Sequence, residues 1–215
     1  MSLIPSSAKS RFALAGGVAV TGLALTTAGV YASLQAQASN TTAESVTSGV
    51  LSLTLAPSTG SVGFNSAISG MAPGDTVNRY VDLTNSGGIP AAGLTLGAVD
   101  SPASPLSTDA TNGLQVKVTS CSGTWTIATG TCVGTATQLA STSLSALTLS
   151  PAQLLGSAVA VPALQHLQIS LTLPPSNEVT VNGTKPANSI QGATSALTWT
   201  FTETQDTTAN STTNS

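Results

Sequence analysis

The chain has 215 residues, a formal net charge of −3 and only 6% charged residues, against roughly 25% in an ordinary soluble protein. Beyond Lys9 and Arg11 its basic residues are Arg79, Lys117 and Lys185, all isolated, which excludes a nucleic-acid partner because phosphate binding relies on clustered Lys and Arg. With 40% apolar residues the chain can bury a core, which excludes wholesale disorder.

Lys9 and Arg11 precede an apolar stretch from Phe12 to Ala32, followed by Ala36-Gln37-Ala38 in small-x-small form. This pattern predicts an N-terminal signal helix removed between Ala38 and Ser39, with Val30-Tyr31-Ala32 as a second cleavage choice. An uncleaved membrane anchor is the alternative, since the apolar run is about long enough to span a bilayer. The expected organisation is a signal peptide over 1–38, one β-domain over 39–204 and a disordered tail over 205–215. Membrane contact is expected only through the signal segment before cleavage, and the mature protein is expected to be secreted, extracellular or at the cell surface.

The first expected strand contains Leu51, Leu53 and Leu55, alternating with Ser52 and Thr54; such period-two patterning puts apolar side chains on one face and polar ones on the other. A second runs from Thr76 to Thr84 with Val77, Val81 and Leu83 inward, although Arg79 falls on the same face. Pro73-Gly74-Asp75 before it and Asn85-Ser86-Gly87-Gly88 after it are turn sequences. A shorter candidate spans Leu94 to Val99, and a clear strand follows with Leu114, Val116 and Val118 alternating with Gln115, Lys117 and Thr119.

Cys121 and Cys132 flank another short candidate, Trp125 to Ala128. An exported protein can keep a disulfide, so these two are expected to pair, stabilising a small hairpin-like loop by about 3 kcal/mol. Ser150 to Gly156 reads as a possible helical turn, with Ser as N-cap and Pro at the first helical position. Ala158 to Val161 is a further short strand candidate. Leu167, Ile169, Leu171 and Leu173, then Leu197, Trp199 and Phe201, complete the alternating set. About seven to nine short strands, each with one greasy face, require two sheets packed together. The predicted fold is all-β, an antiparallel β-sandwich of jelly-roll or immunoglobulin-like type. From Gln205 to Ser215 almost nothing is apolar, so ordering entropy goes uncompensated.

The residues offer little for catalysis. His166 is the only histidine and reads as an outward strand residue, so neither a His-Glu-x-x-His zinc site nor a serine triad can be assembled from motifs. Two thiols and one distant histidine do not make a tetrahedral zinc site. Calcium binding by Asp75, Asp82, Asp100 and Asp109 lacks any recognisable spacing. Trp125 either packs against the disulfide or stacks on a sugar. No catalytic residue, cofactor or metal ligand is therefore expected.

The ordered run of Ser48-Gly49-Val50-Leu51-Ser52-Leu53, Gly63-Phe64, Met71 to Thr76 and Asn85-Ser86-Gly87, after a small-residue-rich leader, resembles the TasA/camelysin family of Gram-positive exported proteins. That resemblance covers most of the mature chain and implies a jelly-roll sandwich, release by a dedicated signal peptidase and assembly into extracellular biofilm or spore-coat-associated fibres. Some members carry a metallo-endopeptidase label. The leading expectation is a non-catalytic matrix or fibre subunit that self-associates by strand addition, with Val50, Leu51, Leu53 and Leu55 in the assembly strand. A camelysin-type metallo-endopeptidase and a monomeric surface binding module are the alternatives.

Overall fold

The computed structural model describes residues 48–159, 163–175, 178 and 180–208. The expected signal helix, its cleavage site at Ala38 and Ser39, and the last residues of the tail lie outside them. The described chain forms ten strands and two short helices. In order these are β1 (Leu53–Pro57), β2 (Thr76–Asn85), β3 (Ala91–Asp100), α1 (Pro105–Thr108), β4 (Gln115–Cys121), β5 (Trp125–Thr126), β6 (Thr131–Cys132), β7 (Ala136–Ser143), α2 (Leu144–Leu149), β8 (Ala152–Val159), β9 (Ala163–Thr172) and β10 (Leu197–Gln205).

Two antiparallel sheets share one core. The larger has the strand order β1-β2-β9-β4-β7 and the smaller β10-β3-β8. β9 lies at the centre of the larger sheet, and its inward residues Leu167, Ile169 and Leu171 are sealed from solvent. Val81 and Leu83 of β2 and Val116 and Val118 of β4 flank them, and Leu94, Leu96 and Ala98 of β3 belong to the same cluster from the facing sheet. Complete burial of each such aliphatic side chain contributes about 1.5–3 kcal/mol. This is the antiparallel all-β architecture that the alternation predicts, and every inward position expected on β4 and β9 is buried.

One element differs from expectation. The segment around Ser150–Gly156 does not turn into a helix: Ser150 ends α2, and Ala152–Val159 is a strand paired antiparallel with β3. The backbone of β3 offers ladder partners to Gln153 and Leu155, and a full ladder outweighs the local preference of Ser-Pro for starting a helix. The helix forms one step earlier, where Ser143 caps it by accepting from the Ala146 N–H at 3.2 Å, and Leu144 and Leu147 enter the core. The β3–β8 register shifts between Ala92 and Leu94, where Gly93 takes a φ of 68°; a bulge with left-handed backbone favours glycine there.

Candidate functional site: the β1 edge and a covered polar cluster

Among the described residues β1 is the outer strand of the larger sheet and pairs only with β2, in the register Leu53↔Asn85 to Pro57↔Val81. The ladder continues beyond the strand, because Ser86 N–H donates to Ser52 O at 2.8 Å and Gly88 N–H to Val50 O at 2.7 Å, while Ser58 N–H donates to Tyr80 O at 3.2 Å. Antiparallel alternation then directs the backbone groups of Ser52, Thr54 and Ala56 toward β2 and those of Leu53 and Leu55 toward the open side. Leu53 packs on the core, whereas Leu55 is 43% and Val50 65% exposed. Pro57 ends the strand and carries no N–H. Gly87 admits this arrangement: a Cβ there would overlap Val50 O and Ser52 N.

The opposite face of the larger sheet is polar except near one end, where the small β5–β6 hairpin covers it. Cys121 and Cys132 are joined by a disulfide with Cα atoms 5.6 Å apart. Trp125 is buried beside Tyr80 with ring centroids 5.6 Å apart, and together with Cys121 these form a second small apolar cluster. Trp125 Nε1–H donates to the backbone O of His166 at 3.1 Å, and Gln168 Nε2–H donates to Tyr80 Oη at 2.9 Å. The indole therefore packs against the disulfide and presents no open ring face for stacking a sugar.

His166 stands between Asp82 on β2 and Cys121 on β4 in the strand register. It does face outward, as its parity indicates, but the side chain is only 16% exposed and its Nδ1 lies 2.8 Å from Asp82 Oδ1. Ser58 Oγ donates to the same Oδ1 at 2.6 Å. A serine, an aspartate and a histidine thus meet in one cluster, a grouping that motif reading misses because the three come from separate strands and a loop. Asp82 occupies the middle, however, whereas a serine triad needs the imidazole between the carboxylate and the nucleophile.

The other aspartates serve their own loops. Asp75 Oδ2 accepts from Ala72 N–H at 2.7 Å within the Pro-Gly-Asp turn, and Asp109 accepts from the backbones of Thr111 and Asn112. Asp100 accepts from Ser107 Oγ, Ser195 Oγ and the N–H groups of Ser104 and Ala196. Burial pushes its pKa up, but these hydrogen bonds outweigh that effect and leave it below the ordinary value. No group of three or more His, Cys, Asp or Glu side chains gathers among the described residues, so these four aspartates share no common site there.

The sequence pattern of camelysin metallo-endopeptidases matches residues 8–210. The chain belongs to the camelysin metallo-endopeptidase family. No curated protein sequence matches it. Membership makes this an extracellular family member, and no helix among the described residues is long and apolar enough to cross a membrane. The family description implies a metal, and the described residues of this chain do not fit one. Its single histidine already faces Asp82, both cysteines are consumed by the disulfide, and no third His, Cys, Asp or Glu side chain joins Asp82 and His166 among the described residues. A catalytic zinc requires three protein ligands and an open position.

Proposed function

We propose that the protein is an extracellular structural subunit that self-associates by adding a strand to the open side of β1. The observation carrying this reading is the edge that no other described strand covers: outward backbone groups at Leu53 and Leu55, with the side chains of Val50 and Leu55 exposed. Backbone hydrogen bonds supply the affinity in this mode of recognition, and alternate side chains supply specificity. Natural edges are usually protected by charge, but Val50 to Pro57 carries none. A chain with so few charges also opposes self-contact only weakly. Among the described residues no third His, Cys, Asp or Glu joins Asp82 and His166 to hold a metal, which favours assembly in a secreted matrix or fibre over the peptidase alternative.

Leu55→Pro provides the test. Proline at this position removes one outward N–H while leaving the hydrogen bonds to β2 intact. Wild-type protein is expected to form concentration-dependent assemblies by light scattering and filaments by electron microscopy, whereas Leu55→Pro stays monomeric with an unchanged far-ultraviolet dichroism spectrum. A wild-type protein that remains a monodisperse monomer across concentration, salt and pH, with no filaments, overturns the reading.

A further inference from the structure

A second feature lies at the end of the sandwich where the loop after β1 meets the segment before β10. A cavity of about 650 Å³ opens there, lined by Phe64, Met71, Leu171, Leu173, Ile190 and Trp199 among others. Phe64 and Trp199 stack within it at 5.6 Å between centroids and 19° between planes. The volume lies in the range of small-molecule sites, roughly 300–1,000 Å³.

Arg79 also lines this cavity. It shares the inward parity of Val77, Val81 and Leu83 on β2, so a permanently charged group extends from the apolar face of the sheet. Fully buried arginines are normally paired, and Arg79 is half-buried. Among the described residues this one donates a single hydrogen bond, Nη2–H to Ser66 O at 3.0 Å, and meets no carboxylate. Lys185 donates to Gln191 O at 2.6 Å, beside Gly192, which belongs to the cavity wall. The acid of that loop, Glu178, is turned instead to Ser189 Oγ and Ile190 N–H. Of the three cations beyond Arg11, Arg79 lines the hollow and Lys185 lies next to its wall at Gly192.

We propose that this cavity binds a single-chain amphiphile with a carboxylate head, the head on Arg79 and the tail against Phe64, Met71, Leu173 and Trp199. A guanidinium with free donors matches a carboxylate in geometry as well as charge. An apolar wall with one convergent cation is the arrangement expected of a site that orients such a molecule.

Isothermal titration of the purified full chain with octanoate, decanoate and dodecanoate, each below its micelle concentration, tests this. One saturable site is expected, with affinity rising about fourfold for each added methylene. Arg79→Gln is expected to weaken decanoate binding about tenfold or more while leaving decanol binding unchanged, and Arg79→Lys to retain part of it. Both variants are checked for native near-ultraviolet dichroism, and Arg79→Lys carries the test if Arg79→Gln fails to fold. Absence of saturable binding, equal binding of decanol and decanoate by the wild type, or no chain-length dependence overturns the proposal. So does decanoate binding that appears only on dilution of self-associated protein, because the cavity then belongs to a contact between copies.

Discussion

His166 and Asp82 stand directly opposite one another on β9 and β2, with Nδ1 and Oδ1 2.8 Å apart, under the edge of a disulfide-closed hairpin. The same carboxylate oxygen accepts from Ser58 Oγ, so the two contacts share an acceptor. His166→Ala is expected to cost about 1 kcal/mol, as is Ser58→Ala. Because they share Asp82, a double-mutant cycle by denaturant unfolding should show non-additivity beyond about 0.5 kcal/mol. Strict additivity would mean that Asp82 holds each partner independently.

Asp100 ties the loop after β3 to the entry of β10. Its pKa is lowered in the folded protein, the hydrogen bonds from Ser107, Ser195, Ala196 and Ser104 outweighing the upward push of burial. The unfolded chain therefore binds more protons in the acid range, and stability rises with pH there. This contribution is complete above the ordinary value of 3.8 and is lost as the pH falls through the lower folded value. Asp100→Asn is expected to destabilise the protein by about 2 kcal/mol at pH 7 and to flatten the acid limb of the thermal-stability profile.

Glu203 on β10 behaves oppositely. Burial raises its pKa, and its Oε2 has no hydrogen-bond partner among the described residues. Here the folded chain holds its proton more tightly than the unfolded chain, so the favourable term present below the ordinary value of 4.5 disappears as pH rises through the folded value. Glu203→Gln should stabilise the protein by about 1 kcal/mol at pH 7. The advantage should vanish near pH 4; a difference that is constant with pH would contradict the assignment.

The bond between Cys121 and Cys132, 11 residues apart, closes the hairpin over Tyr80. Replacing both with serine should lower stability by about 3 kcal/mol on the loop-entropy estimate. The cover over Trp125 depends on that closure, so its fluorescence emission should shift to the red. An unshifted spectrum would show that the hairpin stays seated through Tyr80 and the Trp125–His166 hydrogen bond alone.

At Gly87 the backbone of Val50–Ser52 passes too close for a side chain. Gly87→Ala should cost about 1–3 kcal/mol and release residues 48–52 from β2. Limited proteolysis followed by mass spectrometry should then place a new cleavage in that segment. An unchanged digestion pattern would show that the run can shift without detaching.

The inner strands were legible because their environment repeats the simplest rule of sheets. Leu167, Ile169 and Leu171 alternate with polar residues and are buried where they alternate. β7 was not legible: Ala136–Ser143 lies at an edge, half-exposed along its length, so no face demands a pattern. The start of β8 carries a misleading local signal, since Ser150-Pro151 resembles a helix entry and only the distant strand β3 decides otherwise. Sequence parity put His166 on the outward face correctly, yet the cover of β5 and β6 and the partner 84 residues away depend on strand order. Asp82, opposite in parity to Val81 and Leu83, was the local sign that an outward acid was available. Arg79 looked like a flaw in β2; its position beside an open cavity removes the conflict, because a charge at that end need not enter the dry core.

Pro57 gives the edge of β1 a terminus as well as a boundary. A strand laid along Leu53 and Leu55 runs out of donors there, so added partners would share one stopping point and one short overlap. Copies joined this way would repeat at a constant spacing, and the growth of any resulting polymer would be metered by a single imino acid.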